Sequence, residues 1–123
     1  MRLLAIDHVQ IAMPVGGEPA ARQFFGELLG LAELQKPADM ASRGGCWFGV
    51  GNRQLHLGIE ADFRPAKKAH VAIRTDDLSA LRLRLANAGY EIRFDTPVDG
   101  RGRFFTADPF GNRIEFVDVA AGE

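Results

Sequence analysis

The sequence predicts an α+β domain of two tandem βαβββ modules. Three observations predict it. The apolar pattern switches between period 2 and period 3.6 in the order strand, helix, strand, strand, strand, and that order occurs twice. Short motifs recur at a nearly constant offset: His-Val-Gln-Ile at 8–11 is echoed by His-Val-Ala-Ile at 70–73, and Gly-Asn-Arg at 51–53 returns at 111–113. Each helix-like stretch closes on a glycine, Gly30 or Gly89, the residue best suited to a left-handed C-terminal turn.

The elements follow in order. Leu3 to Met13 reads as a strand with Val9, Ile11 and Met13 on one face and His8, Gln10 and Ala12 on the other. A helix spans about Glu18 to Leu29, its apolar stripe being Ala21, Phe24, Phe25, Leu28 and Leu29. Leu31 to Gln35 is a second strand and Pro37 to Gly45 a loop. Cys46 to Val50 and Arg53 to Ile59 are strands joined at Gly51-Asn52, and in the latter Gln54, His56 and Gly58 face away from the core. Module one is thus 1–60 and a polar linker is 61–68. Module two, 69–123, begins with a strand from Ala69 to Thr75. Asp76-Asp77 caps a helix whose stripe is Leu78, Leu81, Leu85 and Ala88. Tyr90 to Asp95 is a strand, and Arg103 to Ala107 and Asn112 to Val119 close the module. Between those last two lies Asp-Pro-Phe-Gly-Asn, strong turn chemistry. Beyond it Ile114 and Phe116 point one way, and Arg113, Glu115 and Val117 the other.

Composition narrows the function. Fifteen basic and sixteen acidic residues give a formal charge of -1, which leaves no basic excess for nucleic acid. A single cysteine, Cys46, forbids an internal disulfide and suits a reducing compartment. No run resembles a signal peptide or reaches membrane-spanning length, so the expected location is the cytoplasm, with no membrane partner.

The duplication turns scattered residues into a pattern. Strand one of each copy carries a histidine, His8 or His70, and strand four carries a second polar residue, His56 or Glu115. All four lie opposite the helix-packing side. Imidazoles and a carboxylate around one cleft have the residue types of a divalent transition-metal site. All three histidines of the chain are used in it.

The repeat, the His-Val-x-Ile strands, the helix Ala-Arg-Gln-Phe-Phe-Gly-Glu-Leu-Leu-Gly-Leu and the motif Asp-Pro-Phe-Gly-Asn-Arg-Ile-Glu-Phe resemble the vicinal oxygen chelate superfamily. This is the glyoxalase, bleomycin resistance protein and extradiol dioxygenase group. The resemblance implies a glyoxalase-like fold, in which the two modules form a cupped mixed sheet with helices outside, and a homodimer, which the exposed edges of open modules also favour. It places His8, His70 and Glu115 on three metal-ligand positions. His56 falls on the fourth, where glyoxalase I has a glutamate, and that departure counts against glyoxalase I itself. The absence of a basic, tyrosine-bearing tail counts against a fosfomycin thiol transferase. The implied chemistry is bidentate binding of a small oxygenated substrate to a divalent cation (Zn, Ni, Mn or Fe), for isomerase, lyase or ring-opening work. Glu115 and His56 are the candidate catalytic residues, His56 as fourth ligand or general base. If His56 ligates, few open positions remain for an extradiol dioxygenase.

Around this set, Gln10, Trp47, Arg103 and Arg113 are candidate substrate contacts, the arginines for an anionic carboxylate. Strand aromatics such as Phe48 and Phe104 are core residues first. Cys46 reads as a packed small residue, without the setting of a nucleophile. The alternative to a metalloenzyme is a metal-free small-molecule binding protein of the bleomycin resistance type, although near-neutral charge suits a cationic drug poorly.

Overall fold

The computed structural model describes residues 1–119. The chain divides into two compact units, Met1–Arg64 and Pro65–Glu123. The last four residues of module two, 120–123, lie outside the described residues. Each unit contains one four-stranded mixed sheet with its helical segment between the first and second strands.

In the first unit β1 (His8–Met13), β2 (Glu33–Leu34), β3 (Cys46–Val50) and β4 (Arg53–Ile59) are ordered β1-β4-β3-β2. β1 runs parallel to β4, and β3 antiparallel to it. The strand expected from Leu3 begins only at His8, because its partner begins at Arg53 and the register sets His8 beside Gln54. Leu3, Leu4 and Ile6 are left exposed. The expected helix is present but not uniform. α1 (Glu18–Ala21) runs into a π-helical segment (Arg22–Leu28), where the Leu29 N–H donates to the Phe24 carbonyl. The widened turn keeps Ala21, Phe24 and Phe25 fully buried, and Phe25 packs on Phe48 with ring centroids 5.7 Å apart. Gly30 ends the segment at φ +75°. The loop after β2 contains one 3₁₀ turn (Ala41–Arg43), and β2 itself is shorter than the Leu31 to Gln35 reading.

The second unit repeats the plan. β5 (Val71–Thr75), β6 (Arg93–Phe94), β7 (Arg103–Ala107) and β8 (Arg113–Asp118) are ordered β5-β8-β7-β6, with β5 parallel to β8. α2 (Leu78–Asn87) is capped by Asp77, whose carboxylate accepts the Ala80 N–H at 3.0 Å. Only Leu85 of its stripe is fully buried. Ala88 is exposed, because it is the C-terminal cap rather than part of the packed face. β6 is two residues instead of the expected six. Beyond Phe94 the Arg103 side chain, not a backbone ladder, holds the strand: its Nε donates to the Thr96 carbonyl at 2.8 Å.

The turn before β8 is built around two buried polar side chains. Asp108 Oδ1 accepts from the N–H groups of Phe110 and Asn112, each at 2.9 Å, and Asp108 Oδ2 accepts from Asn112 Nδ2 at 3.0 Å. Asn112 Oδ1 in turn accepts the Ala66 N–H at 3.0 Å, and the Arg113 N–H donates to the Ala66 carbonyl at 2.8 Å. The later part of the linker is therefore stitched onto β8. Burial pushes the Asp108 carboxyl above its ordinary range, against the pull of those hydrogen bonds.

Candidate functional site

The polar side chains of β1 and β4 share the sheet face away from α1, as alternation requires, and the register sets Gln10 and Trp47 on either side of His56. There three rings form one stack. Trp47 lies on His56 with centroids 3.9 Å apart and 3° between planes, and His8 covers the other side at 4.3 Å and 17°. His56 is only 4% exposed. Its Nε2–H donates to Gln54 Oε1 at 2.9 Å. Burial first, and the neighbouring His8 second, hold its pKa below the usual imidazole value, so it stays unprotonated near neutrality. Nδ1–H of His8 donates to Asp7 Oδ1 at 2.9 Å, a bond that keeps the Asp7 carboxyl below its ordinary value. That bond engages Nδ1, and Nε2 of His8 is the ring nitrogen left for a ligand. A cavity of about 470 Å³ opens here, lined by His8, Gln10, Lys36, Met40, Trp47 and His56 among others. Gly58 makes room for the Gln10 amide, since a Cβ there would lie 2.6 Å from its Nε2.

In the second unit Glu115 sits between β5 and β7 and is 6% exposed. Its carboxylate is held from two sides: His70 Nε2 is 2.9 Å from Oε1, and Arg103 Nη1 donates to Oε2 at 3.3 Å. Nδ1–H of His70 is committed to the Lys68 carbonyl at 3.0 Å, because a carbonyl can only accept. Nε2 is then the ring nitrogen that faces the carboxylate oxygen. At 2.9 Å the two atoms are at ordinary hydrogen-bond distance, as a proton on Nε2 would set them. The two atoms are also of the types that hold a divalent cation, at a separation that suits cis positions of octahedral coordination rather than the wider tetrahedral spacing. Arg103 also meets Asp95 at 3.6 Å, which leaves little of its guanidinium for a ligand. Arg113 makes no bond to Glu115. Its guanidinium lies over the Phe105 ring, 3.9 Å from the centroid.

The structure thus brings His8, His56, Trp47 and Gln10 together in one unit, and His70, Glu115, Arg103 and Arg113 in the other. Among the described residues no three His, Cys, Asp or Glu side chains are grouped so as to hold a metal ion. Sequence reading missed Gln54, Asp7, Asp95, Phe105 and Lys67. Gln54 was readable, two residues before His56 on the same face; Asp95 and Lys67 come from short or irregular segments and carried no signal. Phe48 and Phe104 are fully buried core residues, as expected of strand aromatics.

Residues 5–116 match the Glyoxalase/Bleomycin resistance protein/Dioxygenase superfamily, and the chain belongs to it. Its fold is glyoxalase-like. A structure described as a glyoxalase family protein from Bacillus anthracis is 43% identical, with 98% of each chain covered and a TM-score of 0.92. FosX, a genomically encoded fosfomycin resistance protein from Listeria monocytogenes, is 11% identical over 98% of this chain and 97% of its own, with a TM-score of 0.74. Lactoylglutathione lyase from Agrobacterium tumefaciens is 19% identical over 95% of both chains, with a TM-score of 0.70. These last two share the fold alone. No curated protein sequence matches the chain. Among the described residues no helix is long and apolar enough to cross a membrane.

Proposed function

We propose that this protein is a metal-dependent enzyme that takes a small oxygenated substrate through two adjacent oxygens, for isomerase, lyase or ring-opening chemistry. The observation that carries this reading is the contact of His70 Nε2 with Glu115 Oε1 at 2.9 Å, with the other ring nitrogen already committed to Lys68. His70 and Glu115 are the donors the second unit offers. His8, its Nε2 free, and His56 are those the first unit offers. A divalent zinc, nickel, manganese or iron ion would supply a Lewis acid for developing oxyanion charge. The chain's own part is to orient and to move protons. His56, kept unprotonated by burial, is the proton acceptor, and Glu115 is the second acid–base group. Gln10 and Trp47 line the substrate cavity of the first unit, and Arg113 that of the second. Arg103, spent on Glu115, Asp95 and Thr96, positions the carboxylate.

A second reading, a metal-free small-molecule binding protein, is favoured by the lack of any three-donor group among the described residues. Elemental mass spectrometry of the protein, reconstituted with each candidate metal, separates the two. Near-stoichiometric metal that His70→Ala loses supports the enzyme. No uptake of any candidate, together with drug-dependent thermal stabilisation without metal, supports the binding protein. The working form is proposed to be a cytoplasmic homodimer; a monomeric mass by light scattering at micromolar concentration would contradict the dimer.

A further inference from the structure

A cavity of about 720 Å³ opens beside β6 and β7 of the second unit. Three cations and two carboxylates line it: Lys67, Arg93 and Arg113, with Glu91 and Asp95. Both carboxylates are already engaged. Glu91 accepts from Arg93 Nε at 2.9 Å. Asp95 meets Arg103 at 3.6 Å and accepts the Thr96 N–H at 2.7 Å. Glu115, on the same face of β8 as Arg113, gives one oxygen to His70 and the other to Arg103. Lys67 and Arg113 are left without an acidic partner among the described residues.

The Arg113 side chain is held by a ring, and the backbone beside Lys67 is anchored. The Arg113 guanidinium rests on Phe105, itself 5% exposed, with Cζ 3.9 Å from the ring centroid. That contact holds the guanidinium at the cavity wall, and its N–H groups suit an acceptor with two oxygens. Lys67 follows Ala66, whose backbone N–H and carbonyl are both bonded to the Asn112–Arg113 segment.

We propose that this cavity is an oxyanion-binding site, in which Arg113 and Lys67 take the carboxylate or phosphate group of a small molecule and Phe105 serves as the platform. Read with the proposed function, on which this part of the inference rests, the substrate is an oxygenated acid or phosphate ester.

The test is an NMR titration of the metal-free full chain with inorganic phosphate and, separately, with benzoate. The expected result is saturable shifts at Lys67, Phe105 and Arg113, with the tighter probe identifying the group. Binding should weaken about tenfold or more in Arg113→Gln and in Lys67→Gln. It should be regained in part by Arg113→Lys, and stay within about twofold in the α2 control Arg82→Gln. Absence of saturable shifts, or an equal response of wild type and both the Arg113→Gln and Lys67→Gln variants, overturns the site. Because the probes bind without metal, that failure leaves metal uptake intact, whereas failure of the metal reading leaves the anion titration intact.

Discussion

His70 and Glu115 meet with Nε2 2.9 Å from Oε1, and the Arg103 guanidinium closes the far side of the same carboxylate. Removing the carboxylate strands a cation with only Asp95 and Thr96 to hold it. Glu115→Ala is expected to lose about 2–3 kcal/mol of stability by urea unfolding of the metal-free protein. An unchanged midpoint would show that the cluster contributes nothing to the fold. In the wild type, divalent metal should raise the melting temperature, and in Glu115→Ala it should not.

His56 gives the stability a pH dependence of known sign. Burial lowers its folded-state pKa below the unfolded value, so the unfolded chain takes up the proton first as pH falls. Its contribution is complete above the ordinary histidine range, about 6.5, and is lost as pH drops from there toward the depressed value. Metal-free protein should therefore unfold at lower urea as pH falls through this window, with a shallower dependence in His56→Gln. Equal slopes for the two proteins would contradict the assignment.

Thr106 is 6% exposed, and its hydroxyl has no hydrogen-bond partner among the described residues. Burying an unmade hydrogen bond costs about 1–3 kcal/mol. The near-isosteric Thr106→Val is expected to be neutral or to gain about 1 kcal/mol by thermal or urea unfolding. A loss above that size would reveal a partner for the hydroxyl.

Cys46 is 1% exposed at the start of β3, and burial pushes its thiol up to about 11. It should react with Ellman's reagent at pH 8 only as fast as the protein unfolds, and at once in denaturant. Rapid reaction in the native state would refute the burial and reopen a nucleophilic role.

The doubled βαβββ order was legible because period-2 strands and capping glycines are local signals, and Gly30, Gly51, Gly89 and Gly111 all take positive φ. The polar face of each sheet was legible too, since alternation alone sets His56 and Glu115 opposite the helices. What was not legible depends on partners distant in sequence. The Arg103 and Arg113 side chains look alike in a strand pattern, yet one is consumed by three acceptors and the other rests on Phe105. Nothing local distinguishes an i→i+5 hydrogen bond from an i→i+4 one across Arg22–Leu28, so the π segment was invisible. Strand ends were missed at Leu3 and Tyr90 because the length of a strand is fixed by its partner.

In each unit the first strand pairs with the fourth, as His8 opposite Gln54 and Val71 opposite Ile114 show. The β3–β4 and β7–β8 pairs are joined by short turns and can form early, but β1 and β5 dock only after roughly 45 residues of intervening chain have been gathered. Refolding should therefore be paced by this non-local closure in both halves. Setting His8 against His56 and His70 against Glu115 is the same kinetic event as completing each sheet, so no folding intermediate with an open first strand carries either histidine contact.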